Sequence, residues 1–376
     1  MATRGAKRHH TVSRFLVDRF ARDTPQGRRV CQLEITTGRT AQVGPRSVAV
    51  SKHFYSIDIA GERSPVVEET LGKVEDVAAP RIRSLVAGDF PIREQRLELA
   101  LFIAMTRLRT PTWRDQSKSL LEQAVAVWSA ETNRDRDAAS VREAFSGTEW
   151  EALSDEELLA MRDEMVGDLD SGQIGVEMPV NNLIKLFLGE CTLMGYVIFA
   201  LDWTVVRTEG LPFVLGDTPV SLWDPTPPYP GSGAGVLSSP KVEMFIPLDP
   251  SFGIWARPNP EHLEAIRDLM EDLPQLSDEK QAEAIGPLEG GWAESHATED
   301  DVNELNLRTY THAQRYVFGS QEAVCRTHRF AHRNPVRRIA VTPAPPRIHI
   351  LEADPDRPGI MRAVKVVEPE TRKGRR

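Results

Sequence analysis

Cysteine is scarce in this chain, three residues in 376, and Cys31, Cys191 and Cys325 show no C-x-x-C spacing. That argues against a zinc ribbon and a disulfide framework, and it fits a reducing, cytoplasmic setting. Long apolar runs are lacking too. The most hydrophobic stretch, Leu183 to Trp203, is interrupted by Lys185 and Glu190. It falls short of the ~18 to 20 apolar residues that a membrane span requires, so it reads as a buried helix. Arg4, Lys7 and Arg8 near the start are followed by no apolar segment, so no secretory signal is expected. No P-loop, G-x-G-x-x-G, H-E-x-x-H or G-x-S-x-G occurs. A nucleotide cofactor and the common zinc-peptidase and serine-hydrolase chemistries are therefore not indicated.

What is present is a globular composition, 40% hydrophobic and 27% charged, with a net charge of -9. An acidic balance does not point to a surface that attracts nucleic acid phosphates or anionic lipid as a whole. The charge is uneven, with Arg372, Lys373, Arg375 and Arg376 making the end basic and Glu261 to Asp301 strongly acidic. These features predict a basic tail at 1–8, a single domain over 9–355 and a basic flexible tail at 356–376.

Apolar Val12, Phe15, Leu16 and Phe20 recur at helical spacing, which predicts a short helix directly after His9-His10, with Thr11 as its N-cap. Strands are expected at Val30 to Thr36 and Ser47 to Ser51. Leu71, Val74, Ala78, Ile82 and Leu85 form the stripe of a helix ending near Gly88, and the next helix runs from about Pro91 to Arg109, stopped by Thr110-Pro111. Further helices are expected at Trp113 to Ser146, Asp155 to Leu169 and Pro179 to Leu201. Beyond Asp202 the pattern turns to strands at Trp203 to Thr208, Phe213 to Leu215, Val242 to Ile246 and Gly253 to Ala256, broken by a Pro/Gly-rich loop from Asp224 to Pro240. A helix over Glu299 to Phe318, an irregular region and a strand at Arg347 to Leu351 complete the pattern. Helices and strands are segregated, so the fold class is α+β: a helical layer from the N-terminal and central parts packed on a mixed or antiparallel sheet from the C-terminal half.

Several segments match one pattern in order. They are His9-His10-Thr11-Val12-Ser13-Arg14-Phe15 through Phe20, Ser47-Val48, Phe54-Tyr55, Glu68 with Glu75, Ala79-Pro80 and Arg109-Thr110-Pro111. Further on come Trp203, the run from Phe213 to Val220, Pro247-Leu248-Asp249-Pro250, and Asn303 to Val317. Together they resemble the bacterial domain-of-unknown-function family 4238, whose members open on His-His-x-Val-Pro. Here Ser13 stands where the proline is usual. The resemblance spans roughly residues 9 to 320 and implies no activity.

The chemistry-bearing residues begin with a spacing. Glu68, Leu71, Glu75, Ala78 and Ile82 are three or four residues apart, so both carboxylates share the apolar stripe of their helix. A buried carboxylate must be protonated, paired or metal-bound. Arg109, at the end of the next helix, is the natural cationic partner. Alternatively, His9, His10, Glu75 and Asp217 combine the nitrogen and oxygen donors that suit zinc, iron or manganese. Asp217, between Gly216 and Thr218-Pro219, suits a ligand or general base and equally an Asx-turn.

On this reading the chain is a metal-assisted hydrolase, with a phosphodiesterase or nuclease activity as the finer expectation. A divalent ion would activate water, Glu75 or Asp217 would take its proton, and Arg109 would stabilise the developing charge. The alternative is a non-catalytic binding or interaction protein whose His-Glu-Arg network holds helices together, with the Pro-rich loop touching a partner. A third reading pairs Arg326 with His332 for ribonuclease-like chemistry, although Pro335 argues against a well-formed helix there. Asn303 and Asn306, with His312 further along, offer hydrogen bonds to a ligand or else a solvated helix face.

Overall fold

A computed structural model describes residues 8–52, 57–59, 62–64, 66–177, 180–224, 241–262, 265–266, 269, 275–335, 348–353 and 361–367. In chain order the strands and helices are β1 (Arg8–His10), α1 (Arg14–Phe20), β2 (Val30–Glu34), β3 (Thr40–Val43), β4 (Val50–Lys52), β5 (Ile57–Ile59), β6 (Glu62–Ser64), α2 (Val66–Ala87), α3 (Arg93–Leu108), α4 (Pro111–Arg134), α5 (Ala138–Ala144), α6 (Asp155–Ser171), α7 (Val180–Ala200), β7 (Asp202–Arg207), β8 (Leu215–Gly216), β9 (Ser221–Trp223), β10 (Glu243–Asp249), β11 (Phe252–Arg257), α8 (Asp278–Ile285), β12 (Trp292–His296), α9 (Glu299–His312), β13 (Tyr316–Gly319), α10 (Gln321–Arg333), β14 (Ile348–Ala353) and β15 (Met361–Val367).

The chain divides into two compact units. The first comprises 1–114 and 180–341, the second 115–179 and 342–376. Of the two expected tails, residues 1–7 lie outside the described residues, while Arg8 opens β1 and Met361–Val367 forms β15.

The first unit is α+β, with helices packed against two sheets. One sheet has five strands in the order β12-β7-β11-β10-β9, antiparallel except where β12 runs parallel to β7. The other is antiparallel, in the order β3-β2-β13-β8, so it draws two strands from the N-terminal part of the chain. Leu16, Val17 and Phe20 of α1, Leu99, Phe102 and Ile103 of α3, and Ile198 and Phe199 of α7 share one buried cluster with Trp203, Met244, Ile246 and Ile254 of the larger sheet. The stripe predicted for α2 is largely internal: Leu71, Ala78, Ile82 and Leu85 are buried.

In the second unit, α5 and α6 carry local stop and start signals. Asp137 caps α5 by accepting the Ser140 amide at 2.9 Å, and this break divides the single helix expected over Trp113 to Ser146 into α4 and α5. Ser154 and Glu157 form a capping box on α6, and Gly172 ends it at φ 69°, a left-handed geometry that favours glycine.

Three other expectations are corrected. The helix expected over Glu299 to Phe318 stops at His312, and Tyr316–Gly319 is the strand β13, because Val317 and Phe318 are needed between β2 and β8. The region expected to be irregular holds α10, capped by Ser320, and it is complete before Pro335 is reached. Thr11 does not cap α1; its hydroxyl donates to Ala49 O at 3.0 Å, and Ser13 occupies the N-cap position. The Pro-rich loop falls on residues 225–240, outside the described residues.

Candidate functional site

The N-terminal strand β1 pairs antiparallel with β4, setting His9 opposite Ser51 and His10 opposite Val50. The pairing carries on through the Thr11 amide, which donates to Ala49 O at 2.8 Å. Ala49 has φ 48°, an uncommon conformation for a residue with a side chain. His10 is half-buried, with Nδ1 3.2 Å from Val48 O. Burial is the main reason its pKa lies below the ordinary histidine value, and the nearby Arg109 charge adds to that. The Val48 carbonyl and Glu75 act in the opposite direction. The side chain of His9 lies outside the described residues.

Ser13 is fully buried, yet its hydroxyl does not cap its own helix; it donates to Glu75 Oε1 at 2.9 Å. The same oxygen takes the Arg109 guanidinium through Nη1. Arg109 sits at the C-cap of α3, where its Nε also donates to Thr11 O at 3.2 Å. One guanidinium thus ties α2, α3 and the segment before α1 together. Arg109 is 2% exposed and Glu75 24%, so the cation is internal and the carboxylate opens partly to solvent. Glu68, two stripe positions earlier on α2, is half-buried and has a partner of its own.

Asp217 belongs to a different assembly. It follows β8 beside the turn between α9 and β13, where the amides of Gln314, Arg315 and Tyr316 donate to its carboxylate at 2.7, 2.8 and 2.9 Å. Its own amide donates to Tyr316 O at 3.0 Å. Both carboxylate oxygens are therefore engaged in holding a backbone turn. His10, Glu75 and Arg109 come together, whereas the hydrogen bonds of Asp217 run to the turn between α9 and β13. Among the described residues, no three of His, Cys, Asp and Glu are grouped so as to hold one metal ion.

The other candidates have their own places. Arg326 and His332 both lie on α10, but Arg326 reaches Glu299 at 3.6 Å, whereas His332 Nε2 is 3.2 Å from His328 Nε2. Asn306 is buried and structural. Its Oδ1 accepts from the Val214 amide at 2.9 Å and its Nδ2 donates to Pro212 O at 3.0 Å, which fixes the approach to β8. His312 is internal, with Nδ1 2.9 Å from Arg308 O.

Beyond Arg109, sequence reasoning missed the buried arginines. Arg96 donates to Phe199 O, Gly291 O and Leu201 O at 3.2, 3.3 and 2.6 Å and lies over the rings of both Trp203 and Trp292. Arg308 bridges Glu243 and Glu304. The signal was available on α3: Arg96, Ala100, Ile103 and Arg107 recur at three or four residues, as the two glutamates of α2 do, and so share its buried stripe. Cys191, noted in the sequence only for its lack of C-x-x-C spacing, is a partly buried free thiol. Burial pushes its thiol well up, so it is protonated and not poised as a nucleophile.

The model of one protein family, described as Protein of unknown function (DUF4238), matches residues 8–323. No curated protein and no solved structure matches the chain.

Proposed function

Given that the chain belongs to family DUF4238, whose description assigns no activity, we propose from the site geometry that it is a non-catalytic binding protein. In this reading the His-Glu-Arg network is architecture. The observation that carries it is how the two carboxylates are used: Glu75 Oε1 is held by Ser13 and Arg109, and Asp217 by three backbone amides. Asp217 so engaged is a poor candidate for a metal ligand, because an ion would compete with three turn amides for its two oxygens. The Pro-rich segment from Asp224 to Pro240 is the sequence's candidate for touching a partner.

The test is metal analysis of the purified full chain by mass spectrometry, together with calorimetric titration of Zn2+ and Mn2+ into wild type and Asp217→Ala. The expected outcome is no stoichiometric metal and no titration difference. A metal present at one equivalent and lost in Asp217→Ala would reverse the reading.

One observation favours the hydrolase as a second reading. Glu75 is partly exposed and its Oε2 has no partner among the described residues, so that oxygen is open to water beside His10. There, a divalent ion held by His9, His10, Glu75 and Asp217 would activate water, with Glu75 as base and Arg109 stabilising charge. Metal-dependent hydrolysis of a phosphodiester, lost in Glu75→Gln, would establish it.

A further inference from the structure

Four arginines are buried among the described residues: Arg96, Arg107, Arg109 and Arg308. Three have counter-charges or several acceptors, although the Nε of Arg308 is also buried without a partner. Arg96 has three carbonyls and two indole faces, Arg109 has Glu75 and the Thr11 carbonyl, and Arg308 has two carboxylates. Arg107 has nothing comparable. Only 5% of it is exposed, its guanidinium makes no hydrogen bond or ion pair among the described residues, and its Nε is sealed from water without a partner. An internal charge with no counter-charge costs several kcal/mol. Burial alone lowers its pKa to about 10, which still leaves it a cation at neutral pH.

His312 lies close enough for the Arg107 charge to act on it, and the backbone of Arg308 and Leu222 holds its ring. The buried Thr218 hydroxyl also lacks a partner, and Thr218 packs near the same end of α9, its carbonyl and Ala313 both crowding Gly216. Unpaired buried polar groups are rare in folded proteins and call for a missing partner. We propose that Arg107, with His312 beside it, forms a buried binding site for a small organic carboxylate.

Charge balance selects the class. Arg107 supplies a single positive charge, and Arg308, the other buried cation that acts on His312, is already matched by Glu243 and Glu304. A monoanionic carboxylate neutralises one guanidinium and fits its paired N–H groups. A phosphate dianion would bring an uncompensated negative charge inside. Arg107 makes no hydrogen bond or ion pair with the Glu75 network, and the site stands whether or not that network is catalytic.

The test is thermal unfolding of the full chain, monitored by fluorescence at constant ionic strength. Acetate and benzoate are the probes, acetamide and benzamide the neutral controls, and phosphate the rival anion. Both carboxylates are expected to raise Tm saturably, the amides and phosphate not at all, and Arg107→Met should lose the rise while its own Tm stays level or increases. That last sign separates a ligand-binding arginine from a structural one, because methionine at an unpaired site removes a penalty and no bond. Should Arg107→Met fail to fold, the Arg107 Nε–H resonance of the wild type gives the answer, shifting on acetate titration. No rise with either carboxylate, a rise with phosphate alone, a rise retained in Arg107→Met or an unmoved resonance would each overturn the proposal.

Discussion

Removing the Arg109 guanidinium would leave Glu75 held only by Ser13 and the Thr11 carbonyl without its Nε donor. Breaking a buried ion pair from one side costs about 3 to 5 kcal/mol, and the partial exposure of Glu75 places Arg109→Met toward the lower end. Urea unfolding should show that loss, and Arg109→Lys should recover only part of it, because an ammonium cannot serve both acceptors in one plane. His312 gives a pH signature. Its folded pKa is near 4, below the unfolded value of 6.5, chiefly through burial. Between those values the unfolded chain binds the proton more readily, so stability falls as pH drops from 6.5 toward 4, by on the order of 3 kcal/mol in total. Stability of wild type and His312→Gln, measured by urea unfolding at pH 7.5, 6 and 5, should diverge in favour of the variant as pH falls. Parallel curves would mean that His312 does not titrate in this way.

At the scale of elements, legibility followed whether the cause was local. The stripes of α2 and α3 and the apolar run of α7 were readable because burial imposes the 3.6 period directly. The strand β13 was not, since Tyr316 to Gly319 continues the apolar pattern of α9 and only its pairing with β2 and β8 fixes it as extended. The same holds for Asp217, where sequence left a catalytic and an Asx-type role open. Its actual partners are amides 97 to 99 residues away. Losing this carboxylate removes the acceptor for three turn amides at once, so Asp217→Ala should cost about 2 to 3 kcal/mol, with faster amide hydrogen exchange at Gln314 to Tyr316 as the local readout. A second elemental constraint lies at Gly290, where an added Cβ would meet Leu201 O at 2.0 Å. The backbone there must shift to accept any side chain. Gly290→Ala should therefore destabilise by roughly 1 to 3 kcal/mol in urea unfolding, and a neutral result would mean that β12 can move away from the end of α7.

Across the whole molecule, family membership and α+β class were readable, whereas the division into two units was not, because each unit is assembled from separated stretches of chain. The candidate metal set suffered from the same limit. His9, His10, Glu75 and Asp217 were joined by donor chemistry alone, and sequence carries no distance between them. A double-mutant cycle decides whether the first unit treats Glu75 and Asp217 as one site or two. Glu75 is held by Ser13 and Arg109, and Asp217 by the α9–β13 turn. Independent positions add to within about 0.5 kcal/mol, whereas ligands of one ion or members of one network couple by about 0.5 to 3 kcal/mol. Glu75→Gln and Asp217→Asn should accordingly be additive in urea unfolding, with and without added Zn2+ or Mn2+. Coupling above about 1 kcal/mol that appears only with metal would place both carboxylates around one ion; it would reinstate the hydrolase and confine the architectural role to Arg109.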